Sequence, residues 1–590
     1  MVDSRIMTDM REPAAEEPIE PEYESGFVAS ESTAVEVGPF GESAERSLNE
    51  SGAGAAMEDD DGRGSCAIIM GYGDTGVKCG RGIHIAPEGV DEKPVCLMHS
   101  KDPQKHSGML FAAFMEEFEK ILEQAGEGEA HFEHFVFPQL NFAWRVFEAF
   151  CLFAEAIFTR RVNFHFATFT KEAGFFGATF EQDAHFLHTT FTRDAVFRGA
   201  SFSEGADFER AFFVQGATFK QVRFKKNAGF RGSTFTQNTD FSKAAFMQDA
   251  DFSEAAFGIY AYFREANFAQ SADFSSAAFE QDSDFSGATF MQSANFRDTK
   301  FHGTVDLQGS RFMDRAEFRR TKFCPRIEGQ PSAVFAFASF SKPNEIVFDD
   351  VDLSRALFLD RDISQVWFAS SVHWGTRYSN RGLSLFEERS SLGRGFAARL
   401  QRDGERDFRA VAQIYQQLKK NYDSRLDYRT ADEFHFGEME MKRLAGPRAG
   451  PLLGLRQLLH RRLSMVAIYR YASDYGNSFW KPTCWLLVTL VLFAVLLPLP
   501  EVGLRRNGTR QTETYSSVWQ ARESIGSNLW IEVRLVGKGV ITSIDTASFQ
   551  KNAEYQPAYP WGRVLAIIEN LITSSLFALF LLAIRRQFRR

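Results

Sequence analysis

The chain has 590 residues, with 67 basic and 77 acidic side chains, a formal net charge of −10, 62 phenylalanines and six cysteines. That length calls for several domains, and six scattered cysteines exclude a disulfide framework and suit a reducing compartment. The charge is uneven: residues 1–61 hold 17 Asp or Glu against 3 Arg, so the remainder carries only about +4, and a nucleic-acid partner is not expected.

Residues 1–61, rich in Glu, Pro, Ser and Gly and without an apolar run, read as an acidic disordered tail and not as a signal peptide. Residues 62–130 form a small Cys/His segment. Cys66, Cys79, Cys96 and His99 supply three thiols and an imidazole, with Cys96-x-x-His99 as the close pair. Such a set can complete a tetrahedral structural zinc site in a Gly-rich segment short of core residues; His84 and His106 are alternative ligands. Gly71-Tyr72-Gly73-Asp74 spells a potassium-channel filter, but filter carbonyls work only between membrane helices, and no apolar span lies near. Met109–Gln124 reads as an amphipathic helix with Phe111, Phe114, Phe118 and Leu122 on one face.

From Phe142 to Phe323 an aromatic recurs at alternating steps of five and six residues. One series runs Phe142, Phe153, Phe164 and on to Phe318, with Leu307 as the only substitution; the other runs Phe147, Phe158, Phe169 and on to Phe323. On a helix the two series would lie about 140° apart, too wide for one buried stripe. A small residue sits two before nearly every aromatic, as at Ala173, Ala184 and Ala206, and Arg145 is the only large charged exception. Residues two apart share a strand face, so a solenoid of short strands is expected, with polar residues outward.

Ala206-Asp207-Phe208, Ala272-Asp273-Phe274 and Ala294-Asn295-Phe296 resemble the pentapeptide-repeat proteins. The resemblance implies a mainly β fold over residues 131–372: a right-handed four-sided β-helix with the central aromatic and the small residue inward. Every second unit here carries an extra residue, which predicts about 22 residues per coil. Phe142–Phe323 then gives about eight coils, a rod about 40 Å long at about 4.8 Å per strand.

Residues 373–478 read as a helical linker. Phe408, Val411, Tyr415, Leu418 and Tyr422 recur at helical spacing, and Thr430–Glu433 looks like a capping box for a second helix stopped by Gly446-Pro447. Ile414–Tyr422, Ala431–Phe434, Gly437–Met441 and Ser473–Ser478 resemble segments of membrane-attached bacterial pentapeptide-repeat proteins. His435, Glu438 and Glu440 are expected on a charged, solvated helix face. With no phosphate loop, nucleophile elbow or paired carboxylates in view, a non-enzymatic protein is expected.

Two apolar runs, within residues 479–500 and 564–590, predict a two-helix transmembrane hairpin around an external loop at 501–563. Eight basic residues outside the runs against five flanking the loop favour both chain ends inside a bacterial plasma membrane, with the repeats cytoplasmic. Glu569 and Asn570 are the polar membrane candidates; Glu569 reads as a functional-site candidate, as a polar helix-association contact, or as a group near enough the outer surface to reach headgroups. The expected function is a membrane-anchored scaffold binding a protein partner or a second copy. The alternatives are a channel-like or transport-associated subunit, or a topoisomerase-directed DNA mimic. The mimic is disfavoured because residues 142–323 balance 21 basic against 22 acidic residues. The acidic stretch 240–298, with 10 acidic and 3 basic residues, follows a basic patch of Lys220, Arg223, Lys225, Lys226 and Arg231.

Overall fold

The computed structural model describes residues 65–70, 77–325, 327, 329–359, 362–377, 382–389, 408–445, 453–499, 502–506, 508, 512–514, 529–548 and 555–589. The acidic tail, Gly71–Asp74 and Gly446-Pro447 lie outside them.

From Glu129 to Phe368 the chain winds through four parallel sheets of nine, eleven, ten and eleven strands, most of them two residues long. Each strand pairs with the one a full coil later: Thr168–Phe169 with Thr190–Phe191, Ala173–Gly174 with Ala195–Val196, Thr179–Phe180 with Ser201–Phe202, and Ala184–His185 with Ala206–Asp207. All four offsets are 22 residues, as the paired 11-residue units require. The solenoid makes about 11 turns, more than Phe142–Phe323 alone would give, because it continues at both ends. Six extra residues enter near its C-terminal end, where Val305 pairs with Ala333.

The five-and-six rhythm has a backbone cause. At the five-residue step the chain makes a tight turn: Phe164 O accepts from Ala167 N at 2.9 Å, and Phe166 between them has φ 55°, the left-handed position of a type II turn. Asn163 Oδ1 accepts from His165 N, and Asp207, Asp251, Asp273 and Asp284 do the same for the residue two along. The Asp or Asn before an aromatic is thus a turn former. The six-residue step takes a wider corner without a left-handed residue, and there the extra residue goes.

Both aromatic series and Leu307 are buried. Each ring stacks on its neighbour one coil away, as Phe158 on Phe180 at 4.6 Å and Phe180 on Phe202 at 4.5 Å. It meets the adjacent column edge-on, as Phe197 meets Phe208 at 5.3 Å and 86°. Both are favourable quadrupole arrangements.

A stack of coils leaves apolar faces open at its ends, and both are closed. Helix α1 (Gly108–Ala125) lays Phe114 and Phe118 over the first coil, with Phe118 4.7 Å from Phe132 and 5.4 Å from Phe142. Arg145 belongs to this seal, which accounts for its exception to the repeat: its guanidinium lies over Phe118, Phe142 and Phe147 and pairs with Glu119 of α1. At the other end Trp374 packs on Phe368 and on Phe434. Helices α2 (Phe408–Ser424) and α3 (Tyr428–Leu444) cover it. The stretch Ile414–Tyr422 is therefore an end cap: Gln417 Oε1 accepts from Ile363 N, Asn421 Nδ2 donates to Ile363 O and Val366 O, and Tyr422 Oη accepts from Trp374 Nε1.

Helix α3 opens at Asp427, whose carboxylate accepts from Thr430 N, and not at the expected Thr430 box. His435, Glu438 and Glu440 correct the expectation of a solvated face. His435 and Glu438 are buried, Glu438 pairs with Lys442, and Glu440 pairs with Arg443 and Arg470 and accepts from Tyr475 Oη. Helix α4 (Leu453–Leu463) follows, and Arg470 of helix α5 (Met465–Ser473) and Tyr475 just beyond it are the groups that sequence periodicity within α3 cannot show.

Of the two apolar segments, Pro560–Phe588, 29 residues long, is long and apolar enough to cross a membrane. It lies in helix α8 (Pro560–Arg589). Helix α6 (Trp480–Leu496), with 17 residues, is shorter, about 25 Å, so the two-helix hairpin is met by one helix of sufficient length among the described residues. The connection 501–563 also holds helix α7 (Leu529–Ala547), which packs on both α6 and α8. Gly539 makes the crossing possible, since a Cβ there would lie 2.1 Å from Ala494 O.

Candidate metal centre

The small segment before the solenoid has almost no core of its own. Two-residue strands at Ile69–Met70 and Val77–Lys78 pair antiparallel, and a bridge joins Ser65 to Gly82. This ribbon brings Cys66 and Cys79 to the turn at Cys96–His99, in which His99 N and Ser100 N both donate to Cys96 O. Lys105, almost wholly buried, donates its ammonium to the carbonyls of Leu97, Met98 and Ser100 and holds the turn from the other side.

The result is the predicted foursome in one place. The ligand-capable atoms of Cys66, Cys79, Cys96 and His99 all lie within 4.8 Å of one another. Cys66 Sγ is 3.4 Å and Cys96 Sγ 3.2 Å from His99 Nδ1, and Cys79 Sγ is 3.8 Å from Cys96 Sγ. The alternative ligands are not part of the group: His84 is bound to Asp102 at 2.9 Å, and His106 lies apart. On the far side of the imidazole, Nε2 is 3.1 Å from Glu133 O; a carbonyl can only accept, so Nε2 carries the proton and Nδ1 turns its lone pair to the sulfurs. Arg81 donates to Cys79 Sγ at 3.3 Å and also pairs with Glu117 of α1.

Hydrogen bonding within the group polarises it. A bond from Cys96, with another from Arg81, pulls the Cys79 thiol down, while the same pairing and burial push the Cys96 thiol up. The remaining cysteines play no part: Cys151 is buried in the rod, and Cys324 and Cys484 are exposed.

Three features escaped the sequence. His165, His185 and Asp207 form a second, less buried group within 4.8 Å on the rod's flank; its signal is the 22-residue step from His185 to Asp207, which the stacking makes adjacent. At one corner of the rod, outward rings also stack, Trp144 on Phe166 at 4.0 Å and 4° and Phe166 on His188 at 4.8 Å. Trp144 is 71% exposed. In the C-terminal helices, Glu569 is fully buried and bonded to Ser543 of α7, whose hydroxyl also lies 3.3 Å from Leu490 O of α6. This burial against α7 favours the helix-association contact for Glu569 over reach to headgroups. Asn570 is half-buried beside it.

The family model of pentapeptide repeats matches overlapping stretches between residues 153 and 322, in nine copies. No curated protein and no solved structure matches the chain. The matched stretch falls wholly within the four-sheet rod, which is thus a β-solenoid of pentapeptide repeats.

Proposed function

For a β-solenoid of pentapeptide repeats sealed at both ends, we propose the role of a protein-interaction scaffold, held at the cytoplasmic face of a bacterial plasma membrane by its C-terminal helices. Solenoids of this kind commonly serve as interaction scaffolds. The inward positions are taken up by the aromatic core, so recognition falls to the outward ones. The observation that carries the reading is the stacked Trp144–Phe166–His188 ridge. Large rings held rigidly in the open are disfavoured on an inert polar surface and are enriched at the centre of protein interfaces. The acidic stretch is a weaker docking candidate, because Asp240, Asp251, Asp273 and Asp284 accept from backbone N–H groups at the turns.

Membrane attachment rests on α8, where Ile567, Leu571 and Phe577 are each more than half exposed, as suits contact with lipid. The basic residues flanking the apolar helices support both chain ends on the cytoplasmic side.

A photo-crosslinking residue placed at Trp144 or Phe166, with Lys243 and Ser276 as positions elsewhere on the rod, tests the scaffold in native membranes. Adducts of one defined mass from the first two positions alone, to a protein or to a second copy, are expected. Equal labelling from all four removes the reading.

One observation favours a second reading, the channel-like subunit: α7 packs between two apolar helices and meets a buried carboxylate. Conductance of the purified chain in planar bilayers that disappears in Glu569→Gln would support it; silence of the wild-type chain would dispose of it.

A further inference from the structure

We infer that Cys66, Cys79, Cys96 and His99 bind one zinc ion, and that this ion is the clasp of the solenoid's N-terminal cap. Tetrahedral zinc has bonds of about 2.3 Å to sulfur and about 2.0–2.1 Å to nitrogen, which places two ligand sulfurs about 3.8 Å apart and a sulfur and a nitrogen about 3.5 Å apart. The structure has 3.8 Å between Cys79 and Cys96, and 3.4 Å and 3.2 Å from Cys66 and Cys96 to His99 Nδ1. A disulfide would bring two sulfurs to about 2.05 Å and leave the third thiol and the imidazole without a reason to converge.

The surroundings fit a closed structural site. Cys66, Cys96 and His99 are each no more than 5% exposed, and four protein ligands leave no position for water or substrate. Three thiolates around a divalent ion carry one net negative charge, and Arg81 stands against it at Cys79. The Nε2–H bond to Glu133 O fixes the imidazole in the tautomer that ligates through Nδ1.

The same contacts tie the ion to the rod. Glu133 lies in the first coil, Val136 N donates to Met98 O beside the ligand turn, the His99 ring meets Phe135 edge-on at 5.1 Å, and Arg81 bonds Glu117 of α1. Loss of the ion releases four ligands from three separate segments and frees α1 from the end of the aromatic stack. The cap should then open while the middle coils, which depend only on their own neighbours, stay closed.

The test uses the full chain purified in detergent from zinc-supplemented cells. Elemental analysis should give about one zinc per chain, and cobalt exchange should produce a thiolate-to-cobalt charge-transfer band. Cys324→Ser keeps both, whereas Cys66→Ser and His99→Gln lower them. In the unmutated chain, so that misfolding of a variant is not at issue, chelation should speed amide exchange over residues 96–137 by about tenfold or more and leave residues 186–300 unchanged. Substoichiometric zinc with no cobalt–thiolate band, a Cys79–Cys96 disulfide, or chelation that alters no amide in the cap would each overturn the inference.

Discussion

Removing one ring from the middle of the aromatic stack tests the solenoid most directly. Phe230 lies flat between Phe208 at 4.9 Å and Phe252 at 4.8 Å, and meets Phe219 and Phe241 edge-on at 5.3 Å and 5.2 Å. Phe230→Ala removes a fully buried ring whose neighbours are held by their own ladders and cannot collapse inward. Such truncations cost about 3–5 kcal/mol, and two stacked and two edge-on contacts put this one near the upper end. At 1.4 kcal/mol per decade, a local loss of about 4 kcal/mol corresponds to roughly a thousandfold faster exchange of the amides that depend on it. Hydrogen exchange on the purified chain should show the loss over residues 206–252, fading towards both ends, because each coil contacts only the next. Phe230→Leu should cost about 1.5 kcal/mol or less, since Leu307 already fills an equivalent buried position. Protection within tenfold of wild type after Phe230→Ala, or an even loss from residue 129 to 368, would refute the stacked, neighbour-only account.

Glu387 is buried in the C-terminal cap with its carboxylate accepting from Phe358 N, and burial raises it from 4.5 to about 7. The folded state keeps a proton that the unfolded chain gives up, so stability falls as pH rises from about 4.5 through 7, by up to about 3 kcal/mol. Thermal melts of Glu387→Gln should lose that slope and exceed wild type at pH 8. Asn421→Ala strips two bonds from the last coil and should cost about 2 kcal/mol, read as faster exchange at residues 353–374. Gly539→Leu cannot keep the contact with Ala494 O; a cysteine pair placed across α6 and α7 should then lose its oxidative cross-link, and an unchanged yield would show that the helices do not cross there.

Much of the rod was legible in the chain itself, because its code is local and repeated. A residue two before a Phe shares that ring's face whatever the rest of the molecule does, so inward and outward sets follow from spacing alone. The clustering of Cys66, Cys79, Cys96 and His99 was legible for a different reason: few cysteines occur in the chain, and Cys96-x-x-His99 suits one turn. The C-terminal helices were less so. Helical spacing placed α2 and a capping pattern with Gly446-Pro447 placed α3, but Glu440 could not be assigned its partners without Arg470 and Tyr475, which come from α5 and the turn after it and carry no periodic relation to it. Helix α7, with charges at Arg534, Lys538 and Asp545, lacks the apolar run that marks a span.

The amino-acid order by itself determined the coil length and the inward aromatic columns, since each depends on spacing within a few residues or on a fixed repeat, and it marked the four Cys/His residues as a candidate set. Tertiary structure alone decided what closes the ends of the stack. Arg145, Trp374 and Asn421 act there by meeting chain that is distant or unrepeated. It also decided that Cys66 and Cys79 reach the Cys96–His99 turn, because bringing them together depends on a backbone ribbon whose register a 12-residue gap between cysteines does not encode.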